Sequence, residues 1–282
     1  MKMQLKYKND DQIFKIRDGE VPFLEYPLFS ELDIVNHGFS TRLGGVSRGY
    51  FSSMNLSFTR GDIEEDVREN FRRMTKAIGV RCEDLVFSKQ THTTNVRLVT
   101  EEDRGMGFTR ALEYTDVDGL ITNIPGICLV TFYADCVPLF FVDPVKKAIG
   151  LSHSGWRGTV GKIGKVTVEK MQAEFGSDPK DIRAAIGPSV CQDCYEVSED
   201  VIIKFKENFE QKYWQQLFYK KENGKYQLNL WKANELIFLE SGILSEHIAV
   251  TNVCTHCNSE ILYSHRTMGD KRGNLAAFLA LK

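Results

Sequence analysis

The sequence predicts an α+β fold made of a single domain, residues 1–282, in which mixed β-sheets are sandwiched by flanking helices. Strand-like runs outnumber helical runs, and several neighbouring runs are joined by hairpin-like turns. A doubly wound protein would instead alternate strands with helices. No repeat, low-complexity segment or Pro/Ser-rich linker divides the 282 residues. The chain is therefore expected to form one mixed-sheet domain.

Hydrophobic spacing predicts the individual elements. Apolar residues at helical spacing predict a helix over 64–78, with Gly79 as its stop, and another from Gly158 to Gly176. Strand–turn–strand patterns rich in β-branched residues follow one another over 84–100, 118–136 and 138–153. Later segments predict a strand at 181–188, a hairpin at 219–231 turning at Asn223-Gly224, and a strand at 247–255.

Composition excludes several classes of protein. The 36 basic and 38 acidic side chains give a net charge of −2, which provides no basic surface for nucleic acid. No signal peptide is predicted, because the N-terminal residues MKMQLKYKNDDQIF lack an apolar core and a small-residue cleavage site. No membrane span is predicted, because the longest apolar stretch is broken by Asp135 and two prolines. Seven cysteines, an odd number, with no export signal indicate reduced thiols. A cytoplasmic protein is expected.

His153 ends the apolar run AIGLSH and is followed by the loop GWRG and a helical pattern. Strand ends that lead into helices often bind ligands or anions. The loop fits neither the Walker A pattern nor the dinucleotide GxGxxG pattern. Its backbone N–H groups and Arg157 are candidates to bind a phosphate or carboxylate. A tight turn in which Trp156 packs on the core is the alternative interpretation.

Cys136 and His92 extend this candidate site. The predicted hairpin over 138–153 places Cys136 and His153 at the same open end. A lone buried cysteine is usually core filler, but this proximity favours a function. His92 lies in the polar turn SKQTHTTNV and joins the site only if the fold brings that turn to the same end. Such a His–Cys–His set suits zinc, and catalytic zinc sites keep a fourth position open.

Three other metal chemistries compete with this interpretation. Two CxxC pairs, Cys191/Cys194 and Cys254/Cys257, are candidates for a structural zinc site. A zinc ribbon normally spaces its pairs about 15–20 residues apart, whereas positions 194 and 254 are separated by 60. A cytidine-deaminase site needs H-x-E, which none of the six histidines begins. A multicopper oxidase needs many histidines, and the six scattered histidines here are too few. Blue-copper chemistry needs His2Cys with an axial Met, and nothing in the sequence indicates such a Met.

Several motifs together resemble one known family. They are HGFSTRLGGVS, KQTHTTNV, DGLIT, ADCVPLFFVDP, HSGWRGTVGKI, AAIGPSVCQDCYEV, LNLWKAN and CTHCNSEILYSHRTMGDKRGN. In this order they resemble the YfiH/YlmD-like family, also called DUF152 and polyphenol oxidase or laccase-domain proteins, to which laccase domain-containing protein 1 is related. The match covers most of the chain, although TMGDKRGN fits the family's C-terminal tail only loosely.

The resemblance implies a zinc-dependent purine-nucleoside enzyme. Its implied reactions are phosphorolysis of adenosine, inosine, guanosine and methylthioadenosine, giving free base and ribose 1-phosphate, and deamination of adenosine. It also implies an α+β sandwich and places the metal ligands and catalytic residues at His92, Cys136 and His153. Copper is the alternative metal. Purine nucleosides and phosphate are the implied partners of a monomer or homodimer.

Further candidates follow from what phosphorolysis requires, namely an anion site and hydrogen bonds to the substrate. Arg42 and Arg157 are candidates for the anion site, with structural ion pairs as the alternative. Asn55 and Gln90 are candidates for substrate hydrogen bonds. Asp135 either orients a ligand, shuttles a proton or caps a strand end.

Two other enzyme functions remain as alternative interpretations of the sequence. One is a hydrolase that edits peptidoglycan precursors, with Cys136 as nucleophile and a histidine as base. The other is a copper-dependent polyphenol oxidase, against which the absence of His-x-His pairs counts.

Overall fold

Two six-stranded sheets dominate the fold of this protein, whose computed structural model describes residues 3–282. The first sheet has the strand order β1-β2-β3-β15-β7-β4. Its strands are β1 (Lys15–Arg17), β2 (Phe23–Glu25), β3 (Val35–Ser40), β4 (Leu85–Phe87), β7 (Cys128–Tyr133) and β15 (Leu275–Leu281). Only β4 and β7 pair in parallel; the other neighbours are antiparallel.

The second sheet has the strand order β14-β10-β8-β9-β6-β5. Its strands are β5 (Val96–Leu98), β6 (Gly119–Thr122), β8 (Val137–Asp143), β9 (Ala148–Ser154), β10 (Arg183–Ile186) and β14 (Ile248–Val250). The two outer pairs, β5·β6 and β10·β14, are parallel, and the inner pairs are antiparallel. A small third sheet contains β11 (Glu196–Val197), β12 (Phe218–Lys220) and β13 (Tyr226–Leu228).

The described residues form eight α-helices, of which α2, α4 and α7 pack on the outer faces of the large sheets. The eight are α1 (Pro27–Ser30), α2 (Glu64–Ile78), α3 (Trp156–Val160), α4 (Ile163–Phe175), α5 (Glu199–Asn208), α6 (Trp214–Leu217), α7 (Leu230–Glu240) and α8 (His265–Met268). Within residues 3–282 the longest of these helices has 15 residues, and none is long and apolar enough to cross a bilayer.

Three hydrophobic clusters hold these layers together. The inner cluster joins the facing sides of the sheets, where Phe39 and Leu279 of the first sheet meet Phe140 and Leu151 of the second. A second cluster packs α4 and α7 on the outer face of the second sheet. A third packs α2 on the outer face of the first sheet. The predicted α+β class, with mixed sheets between helices, is confirmed.

The helix α2 forms as its spacing predicts. Val67, Phe71, Met74 and Ile78 are buried against the first sheet, and Gly79 ends the helix with a left-handed φ of 85°. The helix predicted from Gly158 to Gly176 is instead two helices, α3 and α4. Lys162 separates them because its φ of 57° is left-handed and cannot continue an α-helix.

The predicted strands are present, but two of the predicted pairings are wrong. The β8–β9 and β12–β13 hairpins form. By contrast, β4 lies in the first sheet and β5 in the second, while β6 lies in the second and β7 in the first. Alternating hydrophobicity identifies a strand but not the sheet it joins. The chain therefore crosses between the sheets after β4, after β6 and after β7.

Candidate metal centre and active site

Three side chains from separate segments converge at one end of the β8–β9 hairpin. His92 lies on the crossover from β4 to β5, Cys136 ends the crossover from β7 to β8, and His153 lies in β9. One ligand atom from each of the three lies within 4.8 Å of the other two. Pro138 pairs with His153 in the β8–β9 register, which brings Cys136 to the same end. Two sheet crossovers and one strand therefore build the site.

The buried carboxylate of Asp118 fixes both histidines. Its Oδ1 accepts hydrogen bonds from Nδ1 of His153 at 2.8 Å and from the backbone N–H of His92 at 3.0 Å. Its Oδ2 accepts from the backbone N–H groups of Thr91 at 3.0 Å and Thr93 at 2.9 Å, and from the Thr93 hydroxyl at 3.0 Å. Because Nδ1 of His153 is engaged, its Nε2 is the nitrogen left to bind a metal.

The charges in the site favour a thiolate. Burial opposes ionisation of Cys136, but the charge of His153 and hydrogen bonds with both histidines outweigh it and lower the pKa of the thiol to about 6. Burial also opposes protonation of His153, yet the charge of Cys136 and the Asp118 carboxylate raise its pKa to about 9. Without metal, the site therefore holds a thiolate beside an imidazolium near neutral pH.

Asp118 itself stays ionised. Burial of this carboxyl raises its pKa, but the hydrogen bond and charge of His153 and the backbone N–H groups of Thr91 and Thr93 prevail and lower the pKa to about 2. An ionised carboxylate on the second nitrogen of a histidine is a recurrent arrangement in metal sites, because it orients the ring and raises its basicity.

Gly155 allows the close approach of the three ligands. A Cβ at this position would lie 2.8 Å from Cδ2 of His92 and 3.3 Å from Sγ of Cys136. Its φ of −71° is ordinary, so the requirement for glycine comes from space and not from backbone strain. The GWRG loop thus begins with a residue that no larger side chain can replace without displacing His92.

The site is open on one side. His92 is exposed and Cys136 is partly buried, whereas His153 is only 3% exposed. The rings of His92 and His153 lie 4.9 Å apart, nearly perpendicular. A small molecule therefore reaches the centre from the side of His92.

Asp135 lies next to Cys136 but is occupied by structural hydrogen bonds. Its Oδ1 accepts from the Thr255 hydroxyl at 2.6 Å, and its Oδ2 accepts from the backbone N–H of Arg266 at 2.7 Å. Its backbone is left-handed, with a φ of 88°. These contacts fit the strand-capping alternative, and they tie the Cys136 crossover to the Thr255 loop and to helix α8.

Arg42 lies among backbone carbonyls. Its Nε donates to the Ser52 carbonyl at 2.9 Å and its Nη1 to the Ser259 carbonyl at 3.0 Å. The guanidinium also lies over the ring of Tyr263, 4.7 Å from the centroid. These contacts use Arg42 to hold loops together.

Asn55 is fully buried, and all four of its side-chain hydrogen bonds are made within the protein. Its Oδ1 accepts from the backbone N–H groups of Ser57 at 3.2 Å and Asn274 at 3.0 Å. Its Nδ2 donates to Oδ2 of Asp62 at 2.9 Å and to the Ser57 carbonyl at 3.3 Å. A substrate would have to displace one of these partners.

Gln90 and Arg157 lie on the segments that carry the ligands. Gln90 makes two 2.7 Å hydrogen bonds to the backbone N–H and carbonyl of Phe132, which fasten the His92 loop to β7. Arg157 is exposed and lies over the Trp156 ring, 4.3 Å from the centroid. Within residues 3–282 its guanidinium has no hydrogen-bond partner, so it is available to an anion.

Sequence patterns missed Asp118, Arg60 and Arg272. Asp118 precedes a buried strand, which looks like an ordinary strand boundary in the sequence. Arg60 and Arg272 each have a buried Nε with no partner among the described residues. Burial and the nearby charge of Arg60 lower the pKa of Arg272, while the charges of Asp135 and Cys136 oppose this shift. Their only sequence signal is a basic residue beside glycine in TRGD and KRGN.

The fold and this site together define an α+β sandwich protein with a His–Cys–His candidate metal centre. A family model described as multi-copper polyphenol oxidoreductase laccase matches residues 36–282, and the chain belongs to this family, which includes the YfiH/DUF152 proteins. The expected family is confirmed.

Relatives with names and solved structures cover most of the chain. The chain is 38% identical to "Purine nucleoside phosphorylase YlmD" of Bacillus subtilis, over 87% of this chain and 88% of that protein. It is 35% identical to "Adenosine deaminase RL5" from an unknown prokaryotic organism, over 83% of this chain and 90% of that protein. The crystal structure of Bacillus licheniformis hypothetical protein YfiH superimposes with a TM-score of 0.89 at 33% identity, covering 95% of this chain and 99% of that one. Members of the family thus carry names of nucleoside-processing enzymes.

Proposed function

We propose that the protein is a zinc-dependent purine-nucleoside enzyme. It cleaves adenosine, inosine, guanosine and methylthioadenosine with phosphate to free base and pentose 1-phosphate, and it deaminates adenosine. The observation that carries the proposal is the convergence of His92, Cys136 and His153, ordered by Asp118, in a family with named phosphorylases and a named deaminase.

The donor set fits zinc. Two imidazoles and one thiolate are typical Zn²⁺ ligands, and three protein ligands leave a position for water or substrate. The Sγ of Cys136 lies 3.9 Å from Nε2 of His92, close to the spacing of about 3.5 Å between ligands of a tetrahedral zinc. When bound, zinc supplies Lewis acidity. The family description names copper, which is the alternative metal in the test below.

The protein's own residues provide the rest of the chemistry. Asp118 holds His153 in the tautomer that presents Nε2 to the centre, and the lowered pKa of Cys136 keeps its thiol ionised. Phosphorolysis also needs a cationic site for phosphate. Arg157, beside the Gly155 turn, and the Arg60/Arg272 pair have N–H groups to donate that find no partner among the described residues. Arg42, Asn55, Gln90 and Asp135 act in this proposal by holding the loops around the centre.

The test measures metal and products together. We expect protein purified without added metal to contain zinc and to release free base from inosine only when phosphate is present. Adenosine should also yield inosine. His92→Ala and Cys136→Ala should abolish both reactions while the protein stays folded, and His265→Ala, an exposed histidine outside the centre, should leave them unchanged. Full phosphorolysis by either centre variant contradicts the proposal, as does activity that depends on added copper alone.

The contact between Cys136 and His92, whose Sγ and Nε2 atoms lie 3.9 Å apart, favours a second candidate, a cysteine-dependent hydrolase acting on peptidoglycan precursors. A thiol with a pKa of about 6 beside a protonated histidine is the arrangement of a cysteine nucleophile and its acid–base partner. Chelators separate the two candidates. Nucleoside turnover that is lost on chelation and restored by zinc supports the metal enzyme, whereas chelator-resistant peptidoglycan hydrolysis blocked by thiol alkylation supports the hydrolase.

A further inference from the structure

A second cluster of metal-ligating groups lies outside the candidate active site. The Sγ atoms of Cys191, Cys194, Cys254 and Cys257 all lie within 4.8 Å of one another. All four residues are free cysteines, and the Sγ atoms of Cys194 and Cys257 are 3.6 Å apart, well beyond the disulfide bond length of about 2.05 Å.

The sheet topology explains how two CxxC pairs that are distant in sequence meet. Strands β10 and β14 are parallel neighbours, and Ile186 pairs with Val250 at their ends. Each strand leads within a few residues into a CxxC loop. A bridge between Ser189 and Cys254 and a 3.1 Å hydrogen bond from the Thr255 N–H to the Ser189 carbonyl keep the two loops side by side. The sheet therefore supplies the proximity that a zinc ribbon obtains from short spacing.

We propose that these four cysteines bind one structural Zn²⁺ ion. Four thiolates give a closed tetrahedral site with no position for substrate, which is the usual structural zinc site. With Zn–S bonds of about 2.3 Å, tetrahedral sulfurs lie about 3.8 Å apart. The 3.6 Å between the Sγ atoms of Cys194 and Cys257 is close to this value, and all four sulfurs lie within 4.8 Å of one another.

The surroundings of the cluster suit a thiolate site. The backbone N–H of Cys191 donates to Sγ of Cys254 at 3.3 Å, and such hydrogen bonds disperse thiolate charge. Asp193, inside the first CxxC loop, forms a 3.0 Å ion pair with Lys8. Four thiolates around Zn²⁺ carry a net charge of −2, and this lysine places a cation beside them. The N-terminal segment also contacts the second loop, where Asn258 hydrogen-bonds the backbone N–H and carbonyl of Lys6.

The zinc would restrain the crossover between β7 and β8, which carries Asp135 and Cys136. Thr255, within the second CxxC pair, donates to the carboxylate of Asp135, and Val190, just before the first pair, donates its N–H to the Asp135 carbonyl at 3.1 Å. Asp135 immediately precedes Cys136. Both CxxC loops therefore hold the residue next to the active-site thiol, and a metal joining the loops fixes that residue from two sides.

The test counts metal per chain in three variants of the full-length protein. Elemental analysis should find two zinc ions per chain in the wild type. The His92→Ala/His153→Ala double variant should keep one, and the Cys191→Ser/Cys194→Ser double variant should lose one and melt at a lower temperature. Cys82→Ser, a half-buried cysteine outside both clusters, is the matched control and should keep two.

A second readout does not depend on the cysteine variant folding. Cobalt loaded into the His92→Ala/His153→Ala variant should show intense thiolate-to-cobalt charge transfer and tetrahedral ligand-field bands. A metal-free His92→Ala/His153→Ala variant, or a Cys194–Cys257 disulfide found by thiol titration of the unreduced protein, overturns the proposal. The count requires no nucleoside turnover, so it succeeds or fails independently of the proposed activity.

Discussion

Asp118 and His153, which are 35 positions apart, are joined by two hydrogen bonds. The Asp118 carboxylate accepts from Nδ1 of His153 at 2.8 Å, and the Asp118 carbonyl accepts from the backbone N–H of His153 at 2.7 Å. The first bond sets the histidine tautomer and the second sets its backbone position. One residue thus fixes both the orientation and the location of a candidate metal-ligand side chain.

Replacing Asp118 should therefore weaken metal binding without removing a ligand. In Asp118→Asn the amide cannot match all five donors, so we expect zinc affinity at the His–Cys–His centre to fall about 10- to 100-fold. Competition with a chromophoric chelator measures the dissociation constant of zinc at this centre. If zinc at the four-cysteine cluster also exchanges with the chelator, the measurement is repeated in the Cys191→Ser/Cys194→Ser background. Asp116→Asn is the control, because within residues 3–282 the carboxylate of this exposed residue accepts only from the Thr91 and Thr115 hydroxyls. Equal affinities in the two variants would contradict the role of Asp118.

A methyl group at Gly155 should displace His92. Gly155→Ala places a Cβ 2.8 Å from the His92 ring, so the ring must move and turnover should fall by at least tenfold. Gly158→Ala in the same loop is the control, because its Cβ would meet its nearest neighbour at 3.4 Å, an ordinary contact. Nucleoside turnover and thermal unfolding, measured side by side, distinguish a displaced ligand from a destabilised fold. Unchanged activity in Gly155→Ala would show that the centre tolerates the shift.

Cys136 should be unusually reactive in the metal-free protein. With a pKa of about 6, Cys136 is about 90% thiolate at pH 7, compared with about 3% for a thiol of pKa 8.5. Its alkylation rate should rise with pH through about pH 6 and level off above pH 7, since the reactive thiolate is the deprotonated form. Burial raises the pKa of Cys82, which should react only at higher pH. Mass mapping of iodoacetamide adducts at a series of pH values measures the alkylation rates of Cys136 and Cys82. An inflection for Cys136 near pH 8.5 would show that His153 does not stabilise the thiolate.

Asp135 offers a choice between a structural and a proton-transfer role. Asp135→Asn keeps a residue type that tolerates left-handed backbone, but its amide cannot accept from both the Thr255 hydroxyl and the Arg266 N–H. If the carboxylate is structural, urea denaturation should show a loss of about 1–3 kcal/mol in the free energy of unfolding. Thr255→Val, which removes one of these donors, should also destabilise the protein. An unchanged stability with a large loss of turnover at saturating substrate would instead assign proton transfer to Asp135.

The sequence predicted the part of the site that depends on local pairing. The turn between β8 and β9 is short, so the hairpin placed Cys136 and His153 at one end without knowledge of the rest of the fold. His92 could not be placed from spacing, because β4 and β5 enter different sheets and no local pattern records that crossover; only the family resemblance grouped it with the other two.

Asp118 and the four-cysteine cluster show the same limit. Apart from His153, the donors to the Asp118 carboxylate lie 25 to 27 positions upstream and include three backbone groups, which carry no residue-type signal. The two CxxC pairs lie farther apart in the sequence than the pairs of a zinc ribbon. The parallel strands β10 and β14 bring them together instead of a short loop. Long-range strand order is the information that hydrophobic periodicity lacks.

The position of β15 has a consequence for how the protein is made. This strand, residues 275–281, lies between β3 and β7 in the first sheet. Because β3 and β7 both pair with β15 and not with each other, we expect the first sheet to stay incomplete during translation until residue 281 has left the ribosome. The crossover that follows β7 carries Cys136. In a nascent chain, the three candidate ligands are therefore present before the first sheet has gained β15. Metal capture at the proposed centre should therefore be a late event in biosynthesis, and ribosome-bound chains stalled before residue 275 should bind no metal there.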